Sequence, residues 1–122
     1  MCGFILTNID KNIKKYEKLL HHRGPDDSSS YSDDNIKIAF NRLSIIDLHD
    51  RSNQPFIYKD YILAFNGEIY NYIELRNILK ERFKFITKSD TEVLLYSYIH
   101  WGKDCLEKLE GMFSFCIYNK KK

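Results

Sequence analysis

A chain of 122 residues is one domain's worth of sequence, able to bury about two thirds of its unfolded surface in a core and too short for multidomain machinery. Its 43% apolar and 15% aromatic content, with five glycines and two prolines, excludes long disordered and collagen-like stretches. Nineteen basic against seventeen acidic residues leave a net +2, and Lys120, Lys121 and Lys122 supply that excess, so the charge marks no nucleic-acid face.

Cys2-Gly3-Phe4-Ile5-Leu6-Thr7 is apolar up to Asn8 and reads as a short buried strand. From Asp10 to His22, Ile13, Tyr16, Leu19 and Leu20 recur at a helical period with lysines between them, which predicts an amphipathic helix. Arg23-Gly24-Pro25-Asp26-Asp27 ends it, because proline disfavours helical dihedrals at the preceding residue, and the serines that follow read as a loop. Ile36, Ile38 and Phe40 alternate as in a strand, and Leu43 to Ile46 predicts another. Phe56-Ile57-Tyr58 and Tyr61 to Phe65 predict a hairpin across Lys59-Asp60, running into Asn66-Gly67. Asn71 is placed to cap a helix carrying Tyr72, Leu75, Ile78 and Leu79 on one face, and Phe83 to Thr87 reads as extended. Ser89-Asp90-Thr91-Glu92 fits a capping box ahead of a helix from Val93 to Trp101 that Gly102 can end. A short helix from Lys103 to Leu109 and a last strand from Met112 to Tyr118, apolar on both faces, complete the order. Strand runs followed by helix runs favour an α+β fold.

No apolar run approaches the roughly 20 residues of a membrane span, and the start lacks the basic and apolar segments of a secretory signal, so a cytoplasmic protein without membrane contact is expected. Cys2, Cys105 and Cys116 form no C-x-x-C pair and suit reduced thiols. Cys105 and Cys116, beside Leu106 and Ile117, read as buried inert thiols. His21 and His22 are neighbours that a helix would point about 100° apart, so no metal site is expected. There is no glycine-rich phosphate loop, and the aromatic residues do not interleave with basic ones as a nucleic-acid platform would.

The chemistry that remains centres on Cys2. Methionine aminopeptidases remove an initiator methionine ahead of a small side chain, which would leave an α-amine and a thiol on one carbon. A terminal amine titrates near 7.7 to 8.0 and a thiol near about 8.5, so one residue can supply both nucleophile and general base. A cysteine in a core strand has the same sequence. A thiol attacking an amide needs donors where the oxyanion develops, and Asn66-Gly67 offers a side-chain amide and a closely approaching backbone N–H, although Asn-Gly is by default a hairpin turn. For an amino-acid ligand, Arg42 can hold a carboxylate through its fork while Glu68 and Asp90 take an ammonium. Their structural alternatives are a solvated strand end, a turn residue and a helix N-terminal carboxylate.

In order, Met1-Cys2-Gly3, His22 to Asp26, Asn41 to Leu48, Gln54-Pro55, Phe65 to Asn71, Ser89 to Glu92 and Gly111 to Phe115 resemble the class II, N-terminal nucleophile glutamine amidotransferase domain. The Arg-Leu-Ser-Ile-Ile-Asp and Asn-Gly-Glu-Ile-Tyr-Asn segments place the resemblance in the asparagine synthetase (glutamine-hydrolysing) branch. It implies an αββα sandwich and glutamine hydrolysis through a Cys2 thioester, with Asn66 and Gly67 at the oxyanion positions. It also implies Arg42 at the glutamine carboxylate, Leu43, Ser44, Ile45 and Ile46 in the adjoining pocket wall, and Glu68 and Asp90 at the amino group. Two positions depart from the pattern, Ser29 for a usual glycine and Phe40 for a usual histidine. The family's further strands and ATP-binding synthetase domain do not follow Lys122, so residues 1–122 are expected to be a truncated glutaminase domain, incomplete on its C-terminal side. No cofactor is expected in this segment; ATP and magnesium belong to the synthetase domain. The expected partners are L-glutamine and a synthetase domain or chain, with a homo-oligomer as a further option. The alternative function is a catalytically silent fragment that associates with a complementary synthetase chain through an open sheet edge.

Overall fold

The structure, a computed structural model, describes residues 2–9, 12–43 and 53–122. The strand expected over Leu43 to Ile46 therefore lies, apart from Leu43, outside the described residues, and β3 ends one residue before it.

Strands β1 (Gly3–Thr7), β2 (Asp27–Ser32) and β3 (Lys37–Arg42) form one antiparallel sheet in the order β1-β3-β2. Strands β4 (Phe56–Tyr58), β5 (Tyr61–Ile69) and β6 (Gly111–Asn119) form a second, in the order β4-β5-β6. The alternation of β5 explains how they stack. Ile62 and Ala64 pack with Ile36, Ile38 and Phe40 of the first sheet, while Leu63, Phe65 and Ile69 pack with Leu75, Leu79 and Val93 to Tyr96 of the helices. Helix α1 (Ile13–Leu19) lies against the three strands of the first sheet, and α2 (Tyr72–Leu79) and α3 (Asp90–Trp101) cover the far face of the second. The layers are helix, sheet, sheet, helix, as expected for the αββα sandwich.

Several features add to or differ from the sequence expectations. The serine run is strand β2, because pairing with β3 supplies its backbone partners from Asp27↔Arg42 to Ser32↔Lys37 whatever its side chains prefer. Helix α1 is shorter than Asp10 to His22, since the chain turns after it with Arg23 N–H donating to Leu20 O (2.9 Å) and Gly24 N–H to His21 O (3.2 Å). Phe83 to Thr87 joins no strand; Glu92, fully buried, accepts instead from Ile86 N (3.0 Å), Thr87 N (2.8 Å) and Thr87 Oγ1 (2.6 Å). The capping box is therefore half made, with Ser89 Oγ accepting from Thr91 N (3.0 Å) and Glu92 turned to the preceding loop. Asn71 stands at the N-cap of α2, yet its side chain binds Lys108 O (2.8 Å) and Glu110 N (3.0 Å). Gly102 ends α3 at φ 60, and a 3-10 turn follows over Gly102–Glu107.

Tyr96 anchors the core against the 83–89 loop. Its ring stacks on Phe83 (4.5 Å between centroids) and meets Tyr58 (5.0 Å) and Phe85 (4.9 Å) edge-on. Strand β6 borders the sheet margin, with Met112 65% exposed and Phe113 to Tyr118 between exposed and half-buried, so it is not the enclosed strand that its apolar sequence predicts.

Candidate active site

The antiparallel register Gly3↔Asn41 brings Cys2, one residue before β1, alongside the end of β3. Its sulfur accepts from Leu43 N (3.3 Å) and lies 3.5 Å from Leu43 O, and its carbonyl accepts from Arg23 Nε (3.3 Å). The side chain is half-buried at the margin of the inter-sheet core. Arg42 shares the strand face of Ile38 and Phe40, which points into the inter-sheet layer. It is only 5% exposed, and its Nη1 donates to Asn53 Oδ1. A guanidinium cannot shed its charge, so burying one is costly unless partners or an anionic ligand compensate.

Asn66 and Gly67 lie inside β5, paired with Ser114 and Phe113, so the dipeptide is a strand segment rather than a hairpin turn. Asn66 shares the face of Ile62 and Ala64 and so points into the same layer as Arg42; its Oδ1 is buried without a partner among the described residues. Gly67 has φ 146, and a Cβ there would stand 2.1 Å from Met112 O. Glu68 is exposed. Ile69 N donates to Asp90 Oδ2 (3.0 Å), which fixes the first residue of α3 against the end of β5. Burial holds the Asp90 carboxyl above the ordinary carboxylate range and the Glu68 charge adds to that, against N–H donors from Ile69, Thr91 and Asp90 itself. A cation bound beside the two acids would relieve this cost.

The structure thus forms two groups, Cys2 with Leu43 and Arg42, and Asn66-Gly67-Glu68 with Asp90. Asn53 and Gln54 join them: Asn53 meets Arg42, while Gln54 Oε1 accepts from Phe65 N (2.6 Å) and Gln54 Nε2 donates to Phe65 O (3.1 Å) and Thr91 Oγ1 (3.3 Å). Sequence reasoning quoted Gln54-Pro55 without a role and passed over Asn53, since which backbone a side-chain amide pairs with is decided only by tertiary structure. Ser44, Ile45 and Ile46 lie outside the described residues. Of the two departures, Phe40 is fully buried in the inter-sheet core and Ser29 Oγ donates to Gln54 O. Cys105 is buried and Cys116 half-buried, and burial pushes both thiols up. A cleft lined by Lys14, Glu17, Lys18, His21 and Ser28 lies beside α1 and includes none of these site residues. No described helix is long and apolar enough to cross a membrane.

An αββα sandwich with a cysteine just before the first strand, set beside the end of a strand that carries a buried arginine, and with an Asn-Gly segment inside a strand of the second sheet, has the layout of an N-terminal nucleophile amidotransferase. The family model of the glutamine amidotransferase domain matches residues 1–122, and the chain belongs to that family. It is 43% identical to asparagine synthetase [glutamine-hydrolyzing] 1 of Bacillus subtilis, over 98% of this chain and 21% of that protein. It is 42% identical to asparagine synthetase B [glutamine-hydrolyzing] of Escherichia coli, over 95% of this chain and 21% of that one. Among solved structures it is similar to the glutamine phosphoribosylpyrophosphate amidotransferase of B. subtilis, with a TM-score of 0.58 and 25% identity over 70% of this chain and 21% of that chain. The chain spans about a fifth of the length of these curated relatives.

Proposed function

We propose that this domain hydrolyses the side-chain amide of L-glutamine through a thioester on Cys2. With Met1 removed, the Cys2 amine takes the thiol proton and the sulfur attacks the amide carbon. The Asn66 side-chain amide and the Gly67 N–H receive the developing oxyanion. Collapse breaks the C–N bond, the ammonium of Cys2 returns its proton to the leaving nitrogen, and ammonia departs. Water then attacks the γ-glutamyl thioester, giving glutamate and the free thiol. Arg42 holds the substrate carboxylate, Glu68 and Asp90 the ammonium, and Leu43 with Ser44, Ile45 and Ile46 the wall beside them.

The observation that carries this reading is Cys2 set against Leu43, one residue from a buried arginine whose strand face is turned to the same inter-sheet layer as that of Asn66. The names of the relatives support the next step, in which the ammonia serves an asparagine-forming synthetase region.

The pairing of both substrate charges makes selectivity the test. Kinetics of ammonia release are compared for L-glutamine, for glutaramic acid, which lacks the amine, and for 4-aminobutanamide, which lacks the carboxylate. Each truncated amide is expected to lose at least about a hundredfold in kcat/KM, because it gives up the charge-assisted hydrogen bonds proposed to Arg42 or to the two acids. Similar values for all three would overturn the assignment of Arg42 and the two acids.

A further inference from the structure

The ladder between β4 and β5 runs Phe56↔Leu63, Ile57↔Ile62 and Tyr58↔Tyr61, and the same register would set Pro55 opposite Ala64 and Gln54 opposite Phe65. Proline has no N–H to donate, so the backbone ladder cannot continue through it. The Gln54 side chain takes over, offering Phe65 an acceptor at 2.6 Å and a donor at 3.1 Å as a paired strand residue would. This leaves the Gln54 backbone carbonyl to accept from Ser29 Oγ in the opposite sheet. The same Nε2 reaches Thr91, the residue after Asp90, and the residue before Gln54 holds Arg42. Gln54 is 5% exposed, so few of these bonds can be exchanged for water.

We infer that Asn53 and Gln54 are positioning residues for the glutamine pocket: Gln54 sets the Phe65-Asn66-Gly67 stretch relative to α3, and Asn53 sets the Arg42 guanidinium. The inference rests on the glutaminase reading and divides the pocket's two tasks between adjacent residues. Displacing the oxyanion donors weakens the transition state, whereas loosening the arginine weakens substrate binding in ground and transition states alike.

The test is steady-state ammonia release from glutamine by wild type, Gln54→Met, Gln54→Glu and Asn53→Ala. Rates are expressed per Cys2 site that 6-diazo-5-oxo-L-norleucine labels at end point, so a loss of folded protein does not count as a loss of kcat. Gln54→Met, of similar size with no amide, is expected to lower kcat about a hundredfold. Gln54→Glu, which keeps the acceptor for Phe65 N and loses both donors, is expected to fall between it and wild type, and it decides by the same criterion if Gln54→Met does not fold. Asn53→Ala is expected to act through KM, raised about tenfold. Gln54 variants with kcat per labelled site within about threefold of wild type, or an Asn53→Ala defect confined to kcat, would overturn the inference and leave the glutaminase reading standing. A wild-type chain that releases no ammonia overturns that reading and this inference with it.

Discussion

Replacing Cys2 with alanine is expected to reduce ammonia release from glutamine by at least about a thousandfold, because neither of the other two cysteines is suited to form the thioester. Cys105 is fully buried and Cys116 half-buried, and both thiols are pushed up by burial, which disfavours the thiolate that would attack. The structural cost of the substitution is small. The sulfur is half-buried and a thiol is a weak acceptor for Leu43 N, so the far-UV circular dichroism and urea midpoint are expected to stay near wild type. Ammonia release by a folded Cys2→Ala chain at more than a few per cent of the wild-type rate would show that the chemistry runs elsewhere.

Gly67→Ala is expected to be severely damaging to the second sheet. Its Cβ would stand 2.1 Å from Met112 O and 2.6 Å from Phe113 Cα, both backbone atoms of the paired strand, at a φ of 146 that side-chain-bearing residues rarely adopt. Relief requires β5 and β6 to separate at the pair Gly67↔Phe113, beside the proposed oxyanion donor. A loss of about 3 kcal/mol or more in urea unfolding is expected, together with loss of ammonia release. Gly102→Ala is the control: its φ of 60 and ψ of −140 are unfavourable for a residue with a Cβ, but nothing lies within 4 Å of the added methyl, so about 2 kcal/mol of backbone strain without any clash is the expected cost. Equal effects of the two substitutions would mean that the close approach of β6 to Gly67 is not as described.

What the sequence made legible was local or periodic. The Ser89 cap, the Gly102 stop, the hairpin across Lys59-Asp60 and the Leu75 and Leu79 core face of α2 each rest on a few adjacent residues whose chemistry is sufficient, whereas Ile78, expected on that face, is exposed. The sheets themselves needed partners. Ser28 to Ser32 has no apolar alternation to announce a strand, and it becomes one because β3 offers a complete set of backbone partners. Asn66-Gly67 carries a turn's sequence and lies within a strand because β6 runs alongside it with its backbone against Gly67. Glu92 was read as closing the cap of its own helix, and it satisfies the preceding loop instead, a choice available only once that loop is folded back by Phe83 and Phe85 on Tyr96.

The site divides in the same way. Cys2, Arg42, Asn66, Gly67, Glu68 and Asp90 were singled out by residue type, order and resemblance. That Arg42 and Asn66 lie on strand faces turned to one layer follows from the parity of β3 and β5 against the inter-sheet core. Gln54 was hidden because its side chain does a backbone's work, and no propensity or period encodes that.

The central claim is that a freed terminal cysteine is the nucleophile for a glutamine-shaped substrate. Its most direct measurement is intact mass and peptide mapping of the purified chain before and after 6-diazo-5-oxo-L-norleucine. The account predicts a chain lacking Met1 that gains one adduct, on the Cys2 sulfur, and that L-glutamine protects it from labelling. A chain that retains Met1, or a label that falls on another residue and is indifferent to glutamine, would contradict it.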